Sequence, residues 1–228
     1  MNEENEVSSH LTNNLEKTSQ KYSIFNYKNG RKAFSSTGQE NIYEWLDIFL
    51  PNTRIIIEPK IIGSIIGVQY IDGKLRKAIN ENSEDISKNI LAIENIPKKI
   101  PIKNKIEIQG VLYDNKNRSN KNKQMVLTFT RNSNSKIKVL RFCAFKIYNC
   151  NINHFQTLQE LKLLKFEIPQ TQFTNFITDI EIYIQCWKDG KLFTSYPTDG
   201  IILKINSRKL QKYLHENNLS TYFSYSIK

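Results

Sequence analysis

The stretch EPKIIGSIIGVQY, residues 58–70, places a glutamate and a lysine inside an apolar run that then turns at a glycine. Such a run predicts a strand, and the charged pair within it suggests a strand that delivers a lysine nucleophile to a cleft. A lysine that blunts a sheet edge fits Lys60 as well. The position before Gly63, where a carboxylate would complete an active-site motif, holds Ile62.

The segments around this stretch continue the strand pattern. Residues 53–60, 64–71 and 74–79 are predicted strands, and Asp72-Gly73 between the last two is the preferred chemistry of a tight hairpin turn. Further predicted strands are 104–113, 125–132, 138–148, 178–187, 191–197 and 200–206.

Four helices are predicted between and beside the strands. The segment 39–52 has apolar residues at helical spacing and ends at Pro51. The segment 83–97 starts with Ser83, an N-cap candidate, and ends at Pro97. The others are 152–166, with an apolar residue every third position, and 208–218. Many short strands joined largely by hairpins, with a few outer helices, define an α+β class.

Composition narrows the class of protein. The 228 residues are 39% hydrophobic, which supports a folded core, and no run approaches the ~18 apolar residues of a membrane span. The polar start carries no secretory signal. Cys143, Cys150 and Cys186 form no metal-binding or disulfide pattern and are predicted free thiols of a reducing, cytoplasmic compartment.

The net charge of +11 is the footprint of a polyanion binder. It is equally typical of a chain rich in Lys, Asn and Ile throughout, whose basic clusters form a solvated face. Both interpretations stay open. The basic clusters are Lys98, Lys99, Lys103 and Lys105, and a loop with Lys116, Arg118, Lys121 and Lys123.

The order of motifs resembles the adenylation domain of NAD-dependent DNA ligases, from about Pro51 to Lys228. The family's first motif reads E-x-K-x-D-G, and residues 58–63 keep its glutamate, lysine and glycine. Its fourth motif, I-D-G-V-V-I-K, corresponds to TDGIILK at 198–204, the best match of all. Other family motifs correspond, in order, to 84–97, 108–111, 129–132, the helix-to-strand joint 161–169, and 226–228.

The resemblance implies the ligase nucleotidyltransferase fold, with antiparallel sheets forming a cleft and helices outside. It implies that Lys60 is the catalytic residue, which attacks the adenylyl phosphorus of NAD to form a lysyl-AMP phosphoramide. Lys204 and Lys228 would neutralise phosphate charge, and Glu58 would hold an adenine or ribose edge. The implied cofactor-binding residues are Glu58, Gly63, Arg131, Lys204 and Lys228, beside the fourth-motif Asp199 and Gly200.

The chain also departs from the family. Ile62 replaces the first-motif aspartate, and Val111 replaces the third-motif glutamate. Neither side chain can coordinate Mg²⁺ or accept a hydrogen bond, so no metal ligand is predicted. Losing one such group costs ~10²–10³ in rate by analogy with other positioned electrostatic partners. NAD or another adenine nucleotide is the expected cofactor, and Mg²⁺ is not expected.

Two hypotheses follow. In the first, the chain is a degenerate adenylation domain that binds an adenine nucleotide, with weak or no self-adenylation at Lys60, and cannot seal nicks alone. In the second, it is an inactive basic module for nucleic acid or a separate protein chain. Residues 1–22 are predicted to be a polar disordered tail and 23–228 the adenylation domain. No OB, zinc, helix-hairpin-helix or BRCT domain and no membrane partner is expected.

Overall fold

The computed structural model describes residues 34–35, 42–43, 45–46, 53–119, 121–122, 124, 126, 128, 139–216 and 224–227. The predicted tail 1–22 lies outside these residues. The chain divides into two compact units. The described residues of unit 1 fall in Ile62–Ile152 and Gln156–Ile168, and those of unit 2 in Arg31–Ile61, Asn153–Phe155 and Pro169–Lys228.

Unit 1 contains a four-stranded antiparallel sheet of order β4-β3-β5-β6. Its strands are β3 (Ser64–Ile71), β4 (Lys74–Asn80), β5 (Ile106–Asp114) and β6 (Leu140–Ile147). The β3–β4 hairpin turns at Asp72 (φ 51°) and Gly73 (φ 71°), so the predicted Asp-Gly turn is confirmed with both residues left-handed. The short helix α1 (Ser87–Ile90) follows β4.

The core of unit 1 is aliphatic with a few aromatic residues. Ile66 and Val68 of β3 and Ile108 and Leu112 of β5 are at most 1% exposed and belong to one apolar cluster. The helix α2 (His154–Leu163) contributes Leu158 and Leu161 to the same cluster. The apolar stripe predicted for this helix is therefore confirmed at these two positions.

Unit 2 contains a five-stranded sheet of order β1-β9-β8-β2-β7. Its strands are β1 (Phe34–Ser35), β2 (Ile55–Ile61), β7 (Gln172–Thr174), β8 (Thr198–Ile205) and β9 (Ser224–Ile227). β2 lies between β7 and β8 and pairs antiparallel with both, whereas β1 and β9 are parallel. The helices α3 (Ile177–Lys188) and α4 (Arg208–Glu216) complete the described elements.

Buried aromatic and aliphatic side chains form the core of unit 2. Residues 42–43 and 45–46 are helical, as predicted, and Trp45 is 2% exposed with its ring 6.0 Å from that of Tyr225 in β9. Ile55 and Ile57 of β2 are fully buried, like Leu203 across from Ile57 in β8. Central strands buried on both faces read as continuous apolar runs, which explains the Ile-rich sequence of β2.

Two predicted strands are wrong. The segment 178–187 lies within the helix α3, where Ile180 is 1% exposed and Ile182 is 57% exposed. The spacing of its apolar residues suits both a strand and a helix. The structure forms the helix, which buries Ile180. The segment 191–197 is irregular, and its Phe193 adopts φ 58° while remaining buried. No strand conformation accommodates that backbone angle.

Two further local predictions are wrong. Within 125–132 the described residues Val126 and Thr128 are helical rather than extended. The buried side chain of Asn122 accepts from the backbone N–H of Asp114 and donates to its carbonyl, so the end of β5 is satisfied without that strand. Ser83 is not an N-cap, since it adopts φ 63° and the N-cap of α1 is Ile86.

Candidate functional site

One face of the unit 2 sheet carries the polar residues of the first and fourth motifs. Ile56 of β2 lies opposite Lys204 of β8, and Glu58 lies opposite Ile202. Side chains opposite one another in an antiparallel pair project from the same face, so Glu58 and Lys204 share a face. The neighbouring β8 residues Leu203 and Ile205 are fully buried, whereas Lys204 is partly exposed.

Glu58, Lys204 and His154 form a cluster on this face. The Nζ of Lys204 donates to Oε2 of Glu58 at 2.5 Å. The Nε2 of His154 lies 2.6 Å from the other oxygen, Oε1, and 3.3 Å from Nζ of Lys204. The strand pairing of β2 and β8 and the first residue of α2 thus bring together groups from three distant parts of the chain.

The carboxyl group of Glu58 is ionised despite its burial. Glu58 is 2% exposed, and this burial opposes ionisation. The positive charge of Lys204, followed by His154 and the hydrogen bonds from both, outweighs the burial and lowers the pKa of Glu58 to about 2. A buried carboxylate with two charge-assisted partners is therefore fixed at the centre of the cluster.

The proton on His154 follows from this ionisation. An ionised carboxylate only accepts hydrogen bonds, so Nε2 at 2.6 Å from Oε1 must carry a proton and donate it. Because Nε2 donates, it cannot also accept from Lys204. Nε2 and the Nζ of Lys204, 3.3 Å apart, are therefore two donors beside one carboxylate. Lys204 and His154 therefore share Glu58 as their common acceptor.

Lys60 lies where the β2–β8 register shifts. Pro59 pairs with Ile201 and Ile61 with Thr198, so two residues of β8, Asp199 and Gly200, lie opposite the single residue Lys60. A bulge of this kind re-aims side chains. The Nζ of Lys60 is 3.5 Å from Oδ1 of Asp199, and both side chains are partly exposed, at 26% and 35%. The two lysines of motifs one and four lie on adjacent strands of one sheet.

The third strand of this face adds a hydroxyl group. Ser226 of β9 lies opposite Ile202, so Glu58, Ile202 and Ser226 form a row across three strands. Ser226 is 5% exposed, and among the described residues its Oγ has no hydrogen-bond partner. A buried hydroxyl without a partner is unusual and is available to a polar group of a ligand.

The sequence reasoning missed His154. It lies at the first position of α2, and the next residue anchors that end of the helix: the N–H of Phe155 donates to Oδ1 of Asn206 at 3.0 Å. The ring of Phe155 also contacts Phe173 of β7, with centroids 4.9 Å apart. A histidine at a helix start is a weak signal, and only the tertiary pairing with Glu58 singles it out.

Gly63, Ile62 and Val111 belong to unit 1. A Cβ on Gly63 would lie 2.4 Å from the carbonyl oxygen of Leu112 and 2.6 Å from Cγ1 of Val111, so only glycine fits against β5 here. Ile62 is 9% exposed and Val111 is 8% exposed.

Two positions that correspond to family carboxylates offer no ligand to a magnesium ion. The two positions that hold carboxylates in the family carry buried aliphatic side chains, which offer no oxygen ligands. Among the described residues, no group of three or more His, Cys, Asp or Glu is arranged to hold a metal. The absence of metal ligands stays a prediction, which rests on the aliphatic side chains of Ile62 and Val111.

The other predicted residues either lie outside the described part of the chain or make structural contacts. Arg131 and Lys228 lie outside the described residues, as does Lys123 of the basic loop. Lys98 donates to the carbonyl oxygens of Ile90 and Ile93, at 3.3 and 2.6 Å, and burial lowers its pKa. Lys98 therefore caps the end of α1, although the residue is exposed.

The remaining described basic residues are mostly at the surface. Lys105 pairs with Glu107 at 3.0 Å. Lys116, Arg118 and Lys121 are exposed in the loop that follows β5. Cys143, Cys150 and Cys186 form no disulfide, and no described helix is long and apolar enough to cross a membrane.

The fold of these sheets is that of the ligase nucleotidyltransferases. An archaeal ATP-dependent RNA ligase superposes with a TM-score of 0.54 at 8% identity, covering 88% of this chain and 48% of that one. A putative ATP-dependent DNA ligase from Aquifex aeolicus gives 0.52 at 10% identity, covering 79% and 47%. At these identities the likeness shows the fold alone. The expected fold class is confirmed.

The sequence comparisons identify the family. The model of the NAD-dependent DNA ligase adenylation domain matches residues 13–218, so the chain belongs to that family. A DNA ligase of Metamycoplasma arthritidis is 28% identical over 209 residues, which is 80% of this chain and 31% of that protein. One of Ureaplasma parvum is 31% identical over 181 residues, which is 67% and 27%. The chain thus spans about a third or less of these relatives.

Proposed function

We propose that this chain is a ligase-type adenylation domain that binds an adenine nucleotide, NAD or a relative of it, with weak or no self-adenylation at Lys60. The observation that carries the proposal is the Glu58–Lys204 pair, in which the first and fourth motifs meet on one sheet face. Lys60 lies two residues beyond Glu58 on the same strand. The domain would extend over residues 23–228.

The chemistry of this face suits a nucleotide. Lys204 and Lys60 supply positive charge for phosphate groups, and Glu58 supplies a buried acceptor for N–H or O–H groups of a base or ribose. Ile202 offers an apolar contact between Glu58 and the hydroxyl of Ser226. An apolar surface with a few convergent polar groups is the usual composition of a small-molecule site.

Self-adenylation would form one bond and break another. The unprotonated amine of Lys60 would attack the adenylyl phosphorus, forming an N–P bond while the P–O bond to nicotinamide mononucleotide breaks. After the N–P bond has formed, the nitrogen of Lys60 loses a proton to solvent. Lys60 pairs with Asp199, and that ion pair has to open first because an ammonium group is not a nucleophile. Together with the replacement of two carboxylates by Ile62 and Val111, this favours weak or no turnover.

A second candidate function is a basic module for nucleic acid. The exposure of Lys116, Arg118 and Lys121 in one loop favours it. In the other basic cluster, Lys98 bonds to backbone carbonyl oxygens and Lys105 pairs with Glu107. Charge in that cluster is thus partly committed within the chain.

Intact-protein mass spectrometry tests the proposal. The chain is incubated with NAD or ATP and Mg²⁺, and binding of AMP and NAD is measured in parallel by calorimetry. Lys60→Met serves as the control for covalent addition, and Lys212→Met as a control for loss of an exposed charge. Nucleotide binding with little or no AMP adduct is the expected result. Absence of binding to both nucleotides would refute the proposal.

A further inference from the structure

The strand pairing of β2 with β8 is weakest at the position of Lys60. It is regular up to Pro59 and shifts before Ile61 pairs with Thr198. Pro59 has no N–H to donate to a ladder, and proline inside a sheet is found at edges and bulges. A bulge leaves its extra residue unpaired and disrupts the ladder locally. The ladder alone therefore does not fix the place of Asp199, which lies in this bulge opposite Lys60.

A hydrogen bond from the helix α3 fixes the strand residue at the end of this bulge. The Nε1 of Trp187 donates to Oγ1 of Thr198 at 2.9 Å. The indole N–H can only donate and the threonine hydroxyl can accept, so the direction of this bond is determined by the chemistry of the two groups. Both residues are partly buried. Trp187 thus holds the residue of β8 that directly precedes Asp199.

The other end of α3 is tied to the edge strand β7. The Oγ1 of Thr174 donates to Oδ2 of Asp179 at 2.6 Å and accepts from the backbone N–H of Phe176 at 2.8 Å. Between the two ends, Ile180 is 1% exposed. The helix is therefore attached to the sheet of unit 2 at both ends, and this attachment gives the ring of Trp187 a fixed position.

We propose that Trp187 is a positioning residue for Lys60. By holding Thr198 it keeps the bulge in the register that aims Asp199 at the lysine amine, 3.5 Å from Oδ1 to Nζ. A nearby carboxylate attracts the ammonium form of a lysine, and that form is not a nucleophile. Trp187 therefore holds the proposed nucleophile in its ion pair. The inference rests on the proposed function for the role of Lys60.

The test measures the reactivity of the Lys60 amine with no nucleotide present. The full chain is treated with a limiting amount of N-hydroxysuccinimidyl acetate, and peptide mass spectrometry gives the acetylation rate of Lys60 relative to the exposed Lys212. Trp187→Phe keeps an aromatic ring and removes the N–H. Thr198→Val removes the acceptor at the same size, and Thr198→Ser keeps it. Asp199→Asn removes the carboxylate and sets the upper limit.

The acetylation of Lys60 relative to Lys212 should rise by about twofold to fivefold in Trp187→Phe and in Thr198→Val. Asp199→Asn bounds this rise, because a partly exposed ion pair is worth about fivefold at most. The double variant of Trp187 and Thr198 should not exceed either single variant, since both remove the same bond. An unchanged ratio in Trp187→Phe overturns the inference, and so does an unchanged ratio in Asp199→Asn.

Two controls separate this role from a structural one. Lys204 lies on the same strand as Thr198, so a general loosening of β8 would raise the acetylation of Lys204 together with that of Lys60. The proposal predicts a rise at Lys60 alone, and a parallel rise at both lysines overturns it. Thr198→Ser should keep most of the original ratio, as should Tyr183→Phe, which removes a hydroxyl group from the same helix.

Folding and the proposed function are checked apart from this result. Melting curves verify each variant, and if Trp187→Phe does not fold, Thr198→Val decides by the same ratio. Calorimetry with AMP and NAD tests the proposed function. Absence of nucleotide binding refutes that function, whereas the acetylation ratio still decides whether Trp187 controls the amine of Lys60.

Discussion

Lys204 donates to the buried carboxylate of Glu58 at 2.5 Å, although the two residues are 146 positions apart in the chain. β2 and β8 are adjacent in the sheet, and their register places Glu58 diagonally across from Lys204. This pair joins the first and fourth motifs and fixes the electrostatics of the face.

Removing Lys204 should destabilise the fold much more than removing an exposed lysine. Lys204→Met leaves the buried charge of Glu58 with the hydrogen bond to His154, and breaking a buried pair costs about 3 kcal/mol or more. Lys212→Met is the matched control, because Lys212 pairs with Glu216 at 3.9 Å in an exposed position worth ~0.5 kcal/mol or less. Urea unfolding of both variants measures the difference. Equal losses would mean that the Glu58 pair is energetically no different from a surface pair.

The stability of the fold should fall in acid through Glu58. Its pKa is lowered from 4.5 to about 2 in the folded chain, so the ionised form stabilises the fold fully above about pH 4.5. That contribution, roughly 3 kcal/mol, is lost as the pH falls towards 2. Glu58→Gln should remove this part of the pH dependence. Unfolding free energies of both proteins from pH 2 to 7 give the comparison, and parallel curves would contradict it.

Gly63 and Gly190 should tolerate substitution differently. Gly63→Ala places a Cβ 2.4 Å from the backbone oxygen of Leu112, so a loss of about 1–3 kcal/mol is expected, and Gly63→Asn should be worse. Gly190 has open space around it but φ +67°, which Asn tolerates better than Ala. Thermal melts should therefore rank Asn above Ala at 190 and below Ala at 63. The same order of the Ala and Asn variants at both positions would show that steric crowding does not determine what Gly63 tolerates.

The sequence predicted most of the architecture because its strongest signals are local. The Asp72-Gly73 turn, the Ile-rich β2 and the apolar spacing of α2 each agree with the final packing. The strand prediction for 178–187 was wrong because the apolar residues of this segment suit a strand and a helix equally. The burial of Ile180, which favours the helix, exists only in the folded chain. Local pattern cannot resolve such a segment.

Residues of the candidate site that belong to contiguous motifs could be predicted from the sequence. Residues that reach the site only through tertiary contacts could not. Glu58, Lys60 and Lys204 follow from two short motifs, and the structure brings Glu58 to Lys204. His154 has no motif around it, and its place against Glu58 is a contact between residues 96 positions apart in the chain. The pairing of Lys60 with Asp199 likewise follows from the register shift in β2 and β8.

The basic loop provides a separate prediction about DNA. If Lys116, Arg118, Lys121 and Lys123 contact phosphates, binding should be independent of sequence and weaken steeply with salt, through release of condensed counterions. Replacing all four by Ala should lower the log–log salt slope by roughly 3 to 4 units. Fluorescence anisotropy with labelled DNA, from low to near-physiological salt, measures it. An unchanged slope removes the loop from any DNA site.

Restoring the two family carboxylates should increase self-adenylation. Ile62→Asp together with Val111→Glu returns the acidic groups that the first and third motifs carry in the family, each worth ~10²–10³ in rate by analogy. The positions are 9% and 8% exposed, so both substitutions should also destabilise unit 1. The AMP adduct after incubation with NAD and Mg²⁺ is measured by intact mass.

The control for this restoration is the same double substitution combined with Lys60→Met, which should give no adduct because the proposed nucleophile is gone. A melting curve ensures that the restored chain is folded at the assay temperature. An adduct that rises in the double variant and disappears with Lys60→Met would assign the nucleophile and the cause of low activity together. If the folded double variant gains no adduct, the missing carboxylates do not limit the reaction, and the Lys60–Asp199 ion pair becomes the next candidate for that limit.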